Sequence, residues 1–111
     1  MKKTEYKKLI ELSSQISDFS WNIVQFWGVF QKNIIGGNLI LALDRVTIFL
    51  EKAQNNKKRE LEFLQEVSDQ IKEAFAWLDK SRRRKIINQQ DYRNVYNNLQ
   101  VLEKLVEAQL K

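Results

Sequence analysis

Apolar residues along this chain recur at steps of three and four, the spacing that lines one face of a helix. The first recurrence is Leu9, Leu12, Ile16, Phe19, Ile23, Phe26 and Phe30, a stripe of about six turns. With Thr4 as a fair N-cap, it predicts a helix over 4–28. Gly36-Gly37 interrupts the pattern and Asn38 suits a new cap, so a second helix is expected over 38–54, carrying Leu39, Leu43, Val46, Leu50 and Ala53. The third stripe, Leu61, Leu64, Val67, Ile71, Ala74, Phe75 and Leu78, predicts a helix over 57–80. Asn88 followed by Asp91 is a variant capping box for a fourth helix over 89–109, with Tyr92, Val95, Leu99, Leu102 and Val106 inward. Four amphipathic helices without linker or repeat predict one all-α domain over 1–111, an antiparallel up-down-up-down four-helix bundle. Two long helical hairpins that pair only on dimerisation share every local feature.

Some large apolar residues fall beside these stripes. Trp21 and Val24 lie off the first seam, Leu41, Ile48 and Phe49 off the second, and Phe63 and Trp77 off the third. Phe63 and Trp77 are fourteen residues apart, close to four whole turns, and so share a face. Broad core faces would account for the surplus. So would a homo-oligomer interface built from these seven residues, since exposed apolar patches mark contacts.

Composition narrows the chemistry. The 111 residues include no cysteine, histidine or proline and only three glycines. Zinc sites built on thiolate or imidazole, disulfides, and Cys–His or Ser–His–Asp nucleophiles are therefore excluded. A Glu-x-x-His di-iron site is excluded on the same ground. Paired carboxylates such as Glu60 with Asp69, or Glu66 with Glu73, are the remaining acid–base option, and they read as solvated helix faces. Gly36-Gly37 has no Lys-Ser/Thr after it, so it is no phosphate loop. The expectation is a non-enzyme with no catalytic residues, metal or cofactor. No secretory apolar stretch follows Met1-Lys2-Lys3, and the longest apolar run, Leu39 to Leu43, is too short to span a bilayer. A cytoplasmic protein without a membrane partner is expected.

Charge supplies the strongest functional signal. Nineteen Lys and Arg against fourteen Asp and Glu leave a net +5. Lys80, Arg82, Arg83, Arg84 and Lys85 place five cations in six residues, and Lys57, Lys58 and Arg59 form a second group. Lys2, Lys3, Lys7 and Lys8 form a third, which a bundle would bring beside the second, with the arginine run at the other end near Lys32. One or two cations at a helix C-terminus serve capping; five exceed it. Arginine forks match phosphate oxygens, so RNA or DNA is the expected partner of Lys80, Arg82–Lys85 and Lys57–Arg59. Basic runs also occur as plain solvated turns.

From Glu60 onward the chain carries Phe63-Leu64, Glu73 and Leu78, then the basic Arg82–Lys85, Ile86-Ile87, Asn88 and Tyr92. In that spacing it resembles a bacterial four-helix-bundle family that includes proteins encoded in intervening sequences of 23S ribosomal RNA genes and the accessory variability determinant of diversity-generating retroelements. Upstream, Val46–Ala53 is similar to the family's second-helix ending, and Phe30-Gln31-Lys32 stands near its Phe-Pro-Lys. Where retroelement members carry Gly-Gly-Trp, this chain has Leu105-Val106-Glu107. The resemblance implies a ring-like homo-oligomer, typically a pentamer. For the retroelement branch it also implies a basic surface that binds nucleic acid and a partner reverse transcriptase, in mutagenic retrohoming. A protein–protein scaffold with no nucleic-acid role is the alternative.

Overall fold

Strong helix formers and the absence of proline leave little to oppose helix anywhere, and the computed structural model, which describes residues 1–111, has four long helices and no strand. They are α1 (Lys3–Val24), α2 (Val29–Asn55), α3 (Glu60–Arg83) and α4 (Gln89–Leu110). A single 3₁₀ turn, Lys57–Arg59, leads into α3. Helix α2 packs against α1 and α3, and α4 packs against the same two. The result is a rod of 43 × 22 × 20 Å, a length set by helices of about 25 residues at 1.5 Å per residue.

The inward stripes of α2, α3 and α4 lie as the spacing predicts. Leu39, Leu43, Val46, Leu50 and Ala53 meet Leu64, Val67, Ile71, Ala74 and Leu78 on one side of the core, with Val95, Leu99, Leu102 and Val106 closing it. Leu61 departs from its stripe and is exposed, because it precedes the first turn that α3 commits to the core. Asn88 caps α4 as expected: its side-chain oxygen accepts from the Asp91 amide at 2.8 Å, and its amide donates to the Asp91 carboxylate at 2.9 Å.

Several expectations about the first half need correction. Helix α2 begins nine residues before the expected 38 and runs through Gly36-Gly37, so the expected helix end near 28 and break at the glycines are replaced by a turn at Gln25–Gly28. The glycines instead sit at a π-helical widening, Lys32–Gly36, with Gly37 N–H bonded back to Lys32 O. A Cβ on Gly36 would stand 2.3 Å from Val24 Cγ1. Glycine is there so that the end of α1 can lie directly on the α2 backbone, and the burial of Ile35 and Val24 outweighs the helix propensity lost, about 1 kcal/mol per glycine. Asn38, expected as a cap, is inside the helix and donates to Ile34 O at 2.6 Å. Thr4 is likewise inside α1, whose N-cap Lys2 has no side-chain cap bond.

Uninterrupted, α2 is long and apolar enough to cross a membrane by length and composition, with a mean hydropathy of 1.4 over its best window. The run Leu39–Leu43 alone did not predict this. Fewer than half of that window's residues are buried.

The stripe of α1 is also rotated from the expected one. Leu9, Ile16 and Val24 are buried, but the positions beside them are Ser13, Ser17 and Ser20, small enough to bring α1 close to α2. Ser13 Oγ and Thr47 Oγ1 are 2.8 Å apart, and Ser17 donates to Asp44. Leu12, Phe19 and Ile23 are only half-buried, and Phe26 and Phe30 are outside the core altogether.

Candidate nucleic-acid interface

The arginine run grows out of the last turn of α3. Arg82 and Arg83 are helical, Arg84 is the C-cap, and Lys85 turns left-handed at φ 57°. Ile86 N–H bonds to Ser81 O at 2.9 Å and Lys85 N–H to Arg82 O at 3.0 Å. These two bonds make a Schellman ending, whose left-handed position is usually glycine. Here a lysine occupies it, held against the backbone preference of any residue with a Cβ.

The five cations are not equivalent. Asp79 accepts from Arg82 at 2.8 Å and is ion-paired with Arg83 at 2.9 Å. The Arg82 hydrogen bond holds the Asp79 carboxyl below its usual range, and the same bond raises Arg82. The Arg82 guanidinium also lies 5.4 Å from the Tyr92 ring, and the Lys80 ammonium 6.0 Å from that of Trp77. Arg84 and Lys85 are exposed and make no ion pair.

At the opposite end the 3₁₀ turn presents Lys57, Lys58 and Arg59. Arg59 is clamped to Glu62 by bonds of 3.1 and 2.7 Å and covers the Phe63 ring at 4.6 Å. That pairing raises Arg59 and lowers Glu62. The Lys57 ammonium reaches Met1 O at 3.5 Å, so the N-terminus lies at this end. Beneath it Tyr6 Oη donates to Glu60 at 2.5 Å and the N-terminal ammonium lies 3.5 Å from the same oxygen. The tyrosine hydrogen bond holds Glu60 low, whereas burial and then Glu60 push Tyr6 well above the usual phenol range. Lys57 and Lys58 are exposed and make no ion pair.

Of the seven apolar residues expected beside the seams, Val24 and Phe63 are buried in the core. Phe49 and Trp77 are half-buried: Phe49 stacks on Phe63 at 6.3 Å, and Trp77 donates its N–H to Glu73 at 3.2 Å. Trp21, Leu41 and Ile48 are 60%, 46% and 49% exposed. Trp21 and Leu41 line a groove of about 600 Å³ between the end of α1 and the start of α2, with Lys32 and Asp44 on its rim. The larger exposure lies elsewhere, on Phe26, Val29 and Phe30 at the α1–α2 turn, which the stripe assigned to the core or left unremarked.

None of three comparisons, with family models, with characterised proteins and with solved structures, finds a match for this chain. The surface chemistry therefore has to carry the functional reading. The carboxylates considered for acid–base work line no shared site: Glu60 is engaged by Tyr6, and Asp69, Glu66 and Glu73 are exposed on α3. No group of three or more acidic side chains is placed to hold a metal ion. The Asp79 pairings were readable from their i,i+3 and i,i+4 spacing. The left-handed Lys85 and the Tyr6–Glu60 bond have no such local signature.

Proposed function

We propose that this chain is a non-catalytic, cytoplasmic accessory protein that self-associates and binds nucleic acid through its two basic ends. The observation that carries the reading is the placement of Arg84, Lys85 and Lys58 on exposed turns without acidic partners. Cations that are not neutralised locally are the ones that release counterions when they meet phosphate. Arg82 and Arg83, each sharing Asp79, contribute as a half-neutralised reserve that phosphate draws away from the aspartate. The antiparallel up-down-up-down arrangement belongs to the same proposal. The short turns and the pairing of each helix with its two chain neighbours, with α1 also against α4, support it. Self-association would use Trp21, Leu41 and Ile48, the exposed part of the expected apolar surplus. Kinship with the intervening-sequence and retroelement family, with its pentameric ring and reverse-transcriptase partner, rests on the residue pattern alone.

The test is fluorescence anisotropy of labelled structured RNA and duplex DNA at two salt concentrations, with mass read by light scattering. Wild type is expected to bind as an oligomer, with affinity falling steeply as salt rises. An Arg82/Arg83/Arg84→Glu triple change should abolish binding while helicity and mass stay intact; unchanged binding would remove the proposal. A protein–protein scaffold is the second reading. The Asp79 pairing favours it, since it leaves much of the arginine run locally answered, as do the exposed Trp21 and Leu41. No binding at low salt by an intact oligomer would select it.

A further inference from the structure

The end of the rod that carries the arginine run also carries the three most exposed large apolar side chains of the molecule, Phe26 at 84%, Phe30 at 73% and Val29 at 71%, with Ile34 near them at 43%. They come from one stretch of chain, the turn after α1 and the first turns of α2. The fold sets this stretch beside a second: Phe30 and Ile34 share a shallow depression with Arg84 and Ile86 from the α3–α4 turn. An apolar tip is thereby joined to a basic rim by segments about fifty residues apart in the chain.

The charge of this end is one-sided. From Gln25 to Gly37 the chain has Lys32 and no acid, and from Lys80 to Gln90 it has five cations and no acid. The flanking acids are occupied, Asp79 by Arg82 and Arg83 and Asp91 by the Asn88 cap. Four apolar side chains facing water cost free energy, and such patches mark surfaces covered in use. Two of the four, Val29 and Ile34, are aliphatic and offer no ring for a base to stack on. A second copy docked tip to tip would set one arginine run against another, since a two-fold interface repeats the same patch on both sides. A surface that is apolar beneath and anionic above satisfies both features at once.

From this juxtaposition we infer that the α1–α2 tip docks on an anionic lipid bilayer. Phe26, Val29 and Phe30 enter the boundary between headgroups and acyl chains, and Lys32, Arg84 and Lys85 contact the lipid phosphates. No spanning segment is needed, so the expectation of no membrane partner, which rested on span length, does not bear on surface docking. The inference is independent of the nucleic-acid reading, because its deciding variant leaves every cation in place.

The test is co-sedimentation of the full chain with vesicles of equal parts phosphatidylglycerol and phosphatidylcholine, against phosphatidylcholine alone. Tryptophan fluorescence in vesicles with brominated acyl chains reports depth, because Trp27 sits within the tip. Binding to the anionic vesicles with quenching is expected, and weak binding to the neutral ones. Phe26→Ser with Phe30→Ser, both at exposed positions, should weaken binding about a hundredfold, a factor of ten for each ring withdrawn from lipid. Arg84→Gln should weaken it about fivefold. Binding that survives the double serine change, or that occurs without quenching, would overturn the inference by showing adsorption through charge alone. A double variant that loses oligomer mass would overturn it too and make the tip a contact between copies.

Discussion

The two ends of the rod carry similar charge and differ in nearly everything around it. At the end formed by Met1, the 3₁₀ turn and the start of α3, two cations lie over acids, Arg59 on Glu62 and the N-terminal ammonium on a Glu60 that the buried Tyr6 also engages, while the lysines around them make no ion pair. At the other end a single acid, Asp79, serves two arginines, while Arg84 and Lys85 stand free beside exposed phenylalanines. Counting lysines and arginines does not separate these ends. What separates them is what lies beside the charge, a buried tyrosine bonded to Glu60 at one end and exposed phenylalanines at the other.

The largest perturbation removes both ends together. Leu64→Asp places an unpaired carboxylate where the side chain is 2% exposed, a cost of more than about 4 kcal/mol. Loss of the cooperative thermal transition in far-ultraviolet circular dichroism is expected; a folded variant would mean that the core is not the one described. A smaller change strikes only the aromatic end. Gly36→Ala drives a methyl into Val24, an overpacking cost of about 1–3 kcal/mol against about 1 kcal/mol of helix propensity regained. Amide exchange should quicken around residues 21–37 while the Tyr6–Glu60 end keeps its protection, and Val24→Ala in the same chain should restore stability.

Glu60→Gln addresses the opposite end and should cost about 1–2 kcal/mol at neutral pH, the scale of a charged hydrogen bond. Its sign with pH follows from the lowered Glu60 pKa. The native carboxylate is favoured over the unfolded one, so this stability is present above the ordinary value of 4.5 and lost as pH falls through the lower native value. Melting temperatures of wild type and Glu60→Gln should therefore converge in acid. Tyr6 works the other way. With its pKa raised, its contribution is complete below 10 and disappears as pH rises through the native value, so in an absorbance titration one tyrosine should ionise later than the others. The smallest effect is a gain. Lys85→Gly relieves the left-handed backbone at φ 57° and should stabilise the chain by about 1 kcal/mol, while weakening nucleic-acid binding at low salt. A fall in stability would mean that the lysine side chain is itself part of the fold.

Much of the second half was legible in the sequence. The stripes of α3 and α4 and the Asn88 cap depend on residues within a turn of one another, and local spacing governs them. The first half was less legible for an equally physical reason. A pair of glycines reads as a break because glycine disfavours helix, yet their lack of a Cβ is what lets α1 lie against α2. Serines at 13, 17 and 20 fall outside any apolar stripe, yet their small size suits them to the same contact. The basic clusters were found as candidates, and their pairing by Asp79 and Glu62 was available from i,i+3 and i,i+4 spacing.

By itself, then, the sequence determined that the chain is helical, which faces of α2, α3 and α4 turn inward, and that thiol, imidazole and disulfide chemistry is absent. These follow from side-chain type and from a helical repeat that neighbouring residues enforce. Only the tertiary structure decided that α2 continues through its glycines, that Tyr6 ties the N-terminal turn to Glu60, and that Phe30 and Ile34 share a surface with Arg84. Each of these joins residues far apart in the chain, and whether such groups meet depends on how closely whole helices approach, a quantity that no local pattern contains.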